Sequence, residues 1–226
     1  MSYFQQDAVC LAFCAALSLI LPVLLAARRE LRRGWPAVLL TFLLTLAGAA
    51  ELVYRSSSDT ALIMLADAVN VFCLLFSLTV LVEFSLAYSS SGLRPARLWF
   101  YLPALLLSLL YFLTPWLVGG IVESASLGFR LDYLPGFWLL PLFSLLAALL
   151  AVALNFTTIF SLRQAADKDR ALYLVFVLFL ALFFFCSCLL MPFLAGTVNF
   201  SSTLPLALAV LVIFYSAAHS GYFLAE

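Results

Sequence analysis

Seven long apolar stretches run through this chain, and each is long enough to cross a lipid bilayer as an α-helix. A helix needs roughly 20 apolar residues to cover the hydrocarbon core, and its backbone amides must be hydrogen-bonded within the segment. The stretches therefore predict an all-α, polytopic membrane protein, a bundle of seven transmembrane helices in a single domain over residues 1–226. The predicted helices cover about residues 8–27, 35–54, 61–88, 98–118, 137–162, 171–195 and 204–224.

The composition agrees with a fold that is covered by lipid. Of the 226 residues, 66% are hydrophobic and only 10% are charged, and the mean hydropathy is +1.18. Soluble domains are about half apolar and about a quarter charged, and a soluble core of this size cannot hide the surplus. The net charge is zero, so no basic field attracts nucleic acid. We expect the lipid bilayer as a partner and no nucleic acid.

Basic residues are concentrated in alternate loops, which predicts the orientation of the chain. The loops after predicted helices 1, 3 and 5 hold nine of the eleven lysines and arginines. These nine are Arg28, Arg29, Arg32, Arg33, Arg94, Arg97, Arg163, Lys168 and Arg170. The opposite side carries only Arg55 and Arg130. By the positive-inside rule, the N-terminus lies outside, the C-terminus lies in the cytoplasm, and the protein spans the plasma (inner) membrane several times.

The sequence contains no recognisable catalytic or cofactor-binding constellation. All five cysteines lie inside apolar runs, where cysteine behaves as a small hydrophobic residue. Glycine-rich nucleotide motifs, a Walker motif and an HExxH zinc motif are absent from the sequence. The only lysine, Lys168, lies in a loop, which excludes a retinal Schiff base on the last helix. We therefore expect no enzymatic activity in this chain, no cofactor and no metal site.

Polar residues inside the spans are functional candidates because burying them in lipid is costly. In the predicted outer half, Glu51 and Arg55 are four residues apart and can pair on one helix face. Asp67 and Asn70 are three apart on the next helix and share a face. The candidate ligand-binding residues, which include two from the largest outer loop (residues 119–136), are Glu51, Tyr54, Asp67, Asn70, Arg130 and Asp132. Interfacial snorkelling of Glu51 and Arg55, and helix packing by Asp67 and Asn70, are the alternatives.

A second polar group lies in the predicted inner half of the membrane. It consists of Glu83 on predicted helix 3, Asn155 on predicted helix 5 and His219 on predicted helix 7. Asp67 and Glu83 are sixteen residues apart and point to nearly opposite faces of their helix, so they do not belong to one site. We hypothesise that Glu83 contacts His219 and couples the third and seventh helices. A purely structural histidine is the alternative.

Several stretches carry a resemblance to a known family. They are Arg33-Gly-Trp-Pro36 with the helix end Ala49-Ala-Glu51-Leu-Val-Tyr54, then Leu81-Val-Glu83-Phe-Ser-Leu-Ala-Tyr88, Phe129-Arg-Leu-Asp-Tyr-Leu-Pro-Gly-Phe-Trp138, and the closing stretch from Leu204-Pro-Leu to Phe214-Tyr-Ser-Ala-Ala-His219 and Glu226. In this order, with seven helices, the chain resembles the N-terminal seven-transmembrane sensor region of bacterial histidine kinases and related signalling proteins. The resemblance covers most of the chain.

The resemblance implies a receptor that detects a small or lipophilic ligand from outside or from the bilayer. It also implies a homodimer whose last helix signals to a cytoplasmic output domain or partner protein, as in two-component systems. The family usually continues into a soluble signalling domain, whereas this sequence ends at Glu226. The alternatives are a small transporter or transport subunit, and an assembly subunit of a membrane complex. Transporters favour internal repeats and broken helices, which are not evident in this sequence.

Overall fold

The computed structural model of the chain describes residues 3–28, 31–88, 99–124, 128–161 and 203–219. Most of these residues are helical, as expected for a predominantly α-helical membrane protein. The elements are α1 (Tyr3–Ala27), α2 (Leu31–Ser56), α3 (Thr60–Tyr88), α4 (Tyr101–Leu113), β1 (Val118–Ser124), β2 (Gly128–Tyr133), α5 (Leu139–Ser161) and α6 (Thr203–His219). A short 3₁₀ turn, Pro135–Trp138, precedes α5. The helix α6 corresponds to predicted helix 7, and predicted helix 6 (171–195) lies outside the described residues.

Four helical segments of the described chain are long and apolar enough to cross a membrane, judged by length and composition. They are Gln5–Ala27, Gly34–Ser56, Thr60–Glu83 and Pro135–Leu154. Their large side chains also point outward: Leu19 on α1 is 73% exposed and Val23 is 69% exposed. Such exposure is unfavourable in water and neutral in hydrocarbon. This part of the prediction, a helical membrane protein, is therefore supported.

Among the described helices, α2 packs against α1, α3 and α6. The helix α3 packs in turn against α4 and α5. One core joins five helices through fully buried residues, which are Leu21, Leu44, Leu78, Ala151 and Val210. Gly48 of α2 faces both neighbouring helices, since a Cβ added there would lie in van der Waals contact, at 3.5 Å, with both Leu11 and Leu206.

Hydroxyl groups join α1 to α2 inside the apolar bundle. The Ser18 hydroxyl lies 2.7 Å from the Thr45 hydroxyl and 3.2 Å from the carbonyl oxygen of Thr41, and its single proton is donated to these two acceptors. Thr45 in turn donates to the Thr41 carbonyl oxygen at 2.8 Å. Hydroxyl bonds of this kind between membrane helices contribute about 0.6 kcal/mol each on average. This cluster gives two polar side chains of the spans, Ser18 and Thr45, a role in helix packing.

The fourth helix is shorter than the sequence predicts. Predicted helix 4 covers residues 98–118, whereas α4 ends at Leu113 and the chain turns into a strand at Val118. Proline disfavours the helical conformation of the residue before it, and Thr114 before Pro115 is extended, with φ −132° and ψ 143°. Helical geometry therefore ends one turn before the apolar run does.

The segment 119–136, expected to be the largest outer loop, contains an antiparallel hairpin. Val118 pairs with Tyr133 and Ser124 with Gly128, and a β-bulge lies between Val118 and Gly120. Gly120 has φ +145°, a backbone conformation that residues other than glycine adopt only with strain. The hairpin packs at the end of the bundle that holds the α2–α3 turn, and we call this the hairpin end.

Candidate functional site

A half-open cleft of about 370 Å³ lies at the hairpin end, between the start of α3, the end of α4 and the start of β1. Most of its wall is apolar, formed by Met64, Leu65, Ala68, Phe112, Leu113, Pro115 and Val118. The polar side chains in the wall are Asp67, Tyr111 and Thr114. Small-molecule sites are typically concave, about 300–1,000 Å³ in volume and mostly apolar with a few placed polar groups. The hairpin-end cleft has this character.

The central polar contact of the cleft joins two helices. Tyr111, in the last turn of α4, donates a hydrogen bond from its hydroxyl to Oδ2 of Asp67 on α3. Both side chains are half-buried. A carboxylate acceptor roughly doubles the strength of a hydrogen bond relative to a neutral pair. Asp67 therefore serves both as a polar group of the cleft and as an anchor for α4.

Two further tyrosines lie behind this pair. Tyr54 of α2 and Tyr133 of β2 pack with Tyr111 on a second core cluster, built around Leu75 and Val118. The structure therefore brings α2, α3, α4 and the hairpin together next to the Tyr111–Asp67 pair, and Tyr54 lies behind the cleft and not in its wall.

The predicted pair on α2 is present. Arg55 Nε lies 3.1 Å from Glu51 Oε1, and the two residues are one helical turn apart. Glu51 is buried, at 5% exposed, so it does not extend to the interface as a snorkelling side chain would. The pair is formally neutral, and Tyr54 lies between its two members on the same helix.

The remaining outer candidates lie at different distances from the cleft. Asp132 is exposed on β2. Its Oδ2 lies close to the cleft wall, because a Cβ added at Gly119 in that wall would be 3.3 Å from this oxygen. Asp132 therefore lies at the rim. Arg130 pairs with Val122 across the hairpin, and its side chain lies outside the described part of the structure. Asn70 is half-buried on α3 and does not line the cleft.

Of the three coupling candidates, only Glu83 has a described side chain. It accepts a hydrogen bond at Oε2 from the Tyr101 hydroxyl, at the first residue of α4. The helices α3 and α4 are therefore joined by a tyrosine–carboxylate bond at each end. The side chains of Asn155 and His219 lie outside the described residues, so the contact between Glu83 and His219 stays a prediction. The described part of α6 packs mainly against α1 and α2.

The two tyrosines of α4 were not among the sequence candidates, although each forms a bond to a carboxylate in the span. A signal for them exists, because a buried tyrosine needs a hydrogen-bond partner for its hydroxyl. Asp7 was missed for a different reason. Predicted helix 1 begins at residue 8, whereas α1 begins at Tyr3 and buries Asp7 to 7% exposed.

The fold and the cleft define this chain as a mainly α-helical membrane protein with a small-molecule-sized cleft at one end of its bundle. Among the described residues, no group of three or more His, Cys, Asp or Glu side chains is arranged to hold a metal ion. Comparisons with protein-family models, curated proteins and solved structures found no match for the chain.

Proposed function

We propose that this chain is a membrane-embedded sensor domain that binds its ligand in the hairpin-end cleft. The supporting observation is the double role of Asp67, which lines the cleft and also accepts the hydrogen bond that holds the end of α4. A ligand that binds this carboxylate occupies the cleft and also alters the contact between α3 and α4. A site that only binds a ligand, or a carboxylate that only packs helices, would not need both contacts.

The proposed signal begins in the α3–α4 pair. Tyr111–Asp67 holds this pair at the hairpin end, and Tyr101–Glu83 holds it at the other end. A hydrogen bond to a charged group contributes about 1.5–3 kcal/mol, so its loss shifts an equilibrium between two helix packings by about 10- to 150-fold. Ligand binding in the cleft then acts by population shift, because it favours the packing in which the first bond is broken.

The route to the last helix follows the packing of the bundle. The helix α3 packs against α2, and α2 packs against α6. In the proposed orientation, taken from the basic loops, the hairpin end faces outward and the C-terminal end of α6 faces the cytoplasm. The resemblance to bacterial sensor kinases implies that the last helix signals to a cytoplasmic output domain or partner protein. It also implies that the chain acts as a homodimer.

Hydrogen–deuterium exchange of the full chain in lipid nanodiscs tests the proposed relay. Tyr111→Phe removes only the hydroxyl that reaches Asp67. We expect faster exchange at the cleft and also at the opposite end of the pair, around Tyr101, and in α6. The matched control is Ser108→Ala, because Ser108 bonds to the Ala104 carbonyl oxygen within α4 and to no other helix in the described structure.

Faster exchange that is confined to the cleft residues of Tyr111→Phe would contradict the relay. The same distant changes in Ser108→Ala would show a general loosening of α4 and would also contradict it. A proteoliposome flux assay addresses the transporter alternative. Uptake of a solute that depends on Asp67, together with unchanged exchange in α6, would replace the sensor proposal with transport.

A further inference from the structure

We propose that the hairpin-end cleft recognises a small amphipathic organic cation, with a protonated amine that binds Asp67 and an apolar body that lies against the cleft wall. This inference rests on the proposed function, since it takes the cleft to be the ligand site. It adds the chemical class of the ligand, which the sequence leaves open.

The first argument is the sign of the charge at the cleft. Among the side chains that the structure describes, the charged groups in its wall and at its rim are two carboxylates, Asp67 and Asp132. The neighbouring guanidinium of Arg55 is engaged with Glu51 at 3.1 Å. An anionic ligand would meet like charges, whereas a cation would relieve the cost of a carboxylate in a largely apolar wall.

The second argument is the hydrogen-bonding capacity of Asp67. An ionised carboxylate only accepts hydrogen bonds and has about four lone-pair positions, of which the Tyr111 hydroxyl occupies one on Oδ2. An ammonium group brings only donors and a positive charge, so it is complementary to the remaining positions. A neutral alcohol supplies one donor without the charge, so it binds more weakly.

The third argument is the apolar remainder of the cleft. Met64, Leu65, Phe112 and Leu113 form a wall that a hydrocarbon or aromatic body can cover. Phe112 and Leu113 line the cleft and are 46% and 75% exposed, so packing within the bundle does not cover their apolar surface. A bare inorganic cation gains nothing from such a wall and prefers several oxygen ligands. A ligand with one charged head and an apolar body satisfies both halves of the cleft.

The proposed ligand also explains how binding would start a signal. A bound amine offsets the negative charge of the carboxylate, and this charge is what strengthens the Tyr111 hydrogen bond, so the amine weakens the contact that anchors α4. A ligand of this class therefore prefers the packing in which that contact is broken, which is the differential affinity that a population shift requires.

Isothermal titration calorimetry on the full chain tests this proposal. The chain is placed in nanodiscs of phosphatidylcholine and phosphatidylglycerol, which carry no primary amine. The probes are 2-phenylethylamine, 2-phenylethanol and 3-phenylpropionate, which share a phenyl ring and differ mainly in the charge of the head group. We expect the amine to bind about tenfold or more tightly than the alcohol, and the carboxylate not to bind.

Three variants separate the proposed contact from general charge effects. Asp67→Asn removes the charge in the cleft, and we expect amine affinity to fall by about tenfold or more. Asp59→Asn removes the same charge from an exposed residue directly before α3, outside the cleft wall, and we expect unchanged affinity. Tyr111→Phe removes the competing donor, and we expect tighter amine binding, a gain that a misfolded variant would not show.

Equal affinity for the amine and the alcohol would overturn the proposal, and so would equal losses in Asp67→Asn and Asp59→Asn. This test is separate from that of the sensor function. If the amine does not bind but the exchange experiment still shows the relay, the ligand class is wrong and the sensor role stands. Amine binding at Asp67 without the relay would support the ligand class and overturn the sensor role.

Discussion

The bond between Asp67 and Tyr111 predicts a measurable coupling energy between α3 and α4. A double-mutant cycle with Asp67→Ala, Tyr111→Phe and the double variant isolates the interaction between the two side chains. A hydrogen bond to a charged group is worth about 1.5–3 kcal/mol. Because Asp67 is half-buried and not enclosed, we expect a value near the lower end, about 1.5 kcal/mol.

The same chain supplies an internal reference for this number. Ser18 and Thr45 join α1 to α2 through neutral hydroxyls 2.7 Å apart. The corresponding cycle with Ser18→Ala and Thr45→Val should give about 0.6 kcal/mol, the average for neutral hydrogen bonds between membrane helices. The Asp67–Tyr111 coupling should therefore exceed the Ser18–Thr45 coupling by about twofold or more.

Reversible unfolding in mixed detergent micelles, followed by circular dichroism, provides the assay for both cycles. The four free energies of unfolding in each cycle are measured under one set of conditions, so that the reference state is shared. A coupling between Asp67 and Tyr111 no larger than that between Ser18 and Thr45 would refute the reasoning. The carboxylate would then be solvated in the cleft and would not anchor α4.

Three other predictions follow from the fold. Leu44→Ala, at a fully buried position, should cost about 2–5 kcal/mol in unfolding assays, whereas Phe42→Ala on the same helix, at 58% exposed, should cost less than about 1 kcal/mol. Gly120→Ala should lower the free energy of unfolding by about 1–3 kcal/mol, because φ +145° strains any side chain; an unchanged midpoint would contradict this. Asp59→Cys should react with a membrane-impermeant maleimide from outside, and Arg28→Cys should react from inside. Labelling of both from the same side would contradict the predicted orientation.

Long helices with clear ends are the part of this fold that the sequence predicts well. The helix α3 (Thr60–Tyr88) was predicted over 61–88, and α5 (Leu139–Ser161) over 137–162. Both begin after polar or turn residues and continue through an unbroken apolar run. The length of the apolar run alone carries this information, because a helix satisfies every backbone group of such a run within the segment.

The hairpin was missed although the sequence contains its signal. In Gly128–Tyr133, the apolar Phe129, Leu131 and Tyr133 alternate with polar residues, a period of two that is typical of a strand. The apolar run before it continues past Pro115, and hydropathy alone therefore extended the fourth helix into β1. The bias that proline places on the preceding residue would have ended that helix correctly at Leu113.

The pairing of Asp67 with Tyr111 could not be predicted from one sequence. The two residues are 44 positions apart on different helices, and hydropathy does not encode which helices meet or at what height. The pairing of Glu51 with Arg55 was predictable because it is local to one helix turn. For the candidate site, the residue types were therefore available from the sequence, whereas the contact that gives the site its proposed role was not.

The short fourth helix explains why a cleft exists at this end of the bundle. With 13 residues, α4 is about 20 Å long, whereas a hydrocarbon core is about 30 Å thick. Non-helical backbone at membrane depth is tolerated only where protein covers it or where it lines a cavity. Here the Leu117 carbonyl oxygen accepts from Leu134 N at 3.1 Å, and buried Leu117 and Val118 cover part of the gap. The part left uncovered is the cleft beside Asp67, and Tyr111 in the last turn of α4 lies at the edge of this opening, where it bonds to the carboxylate.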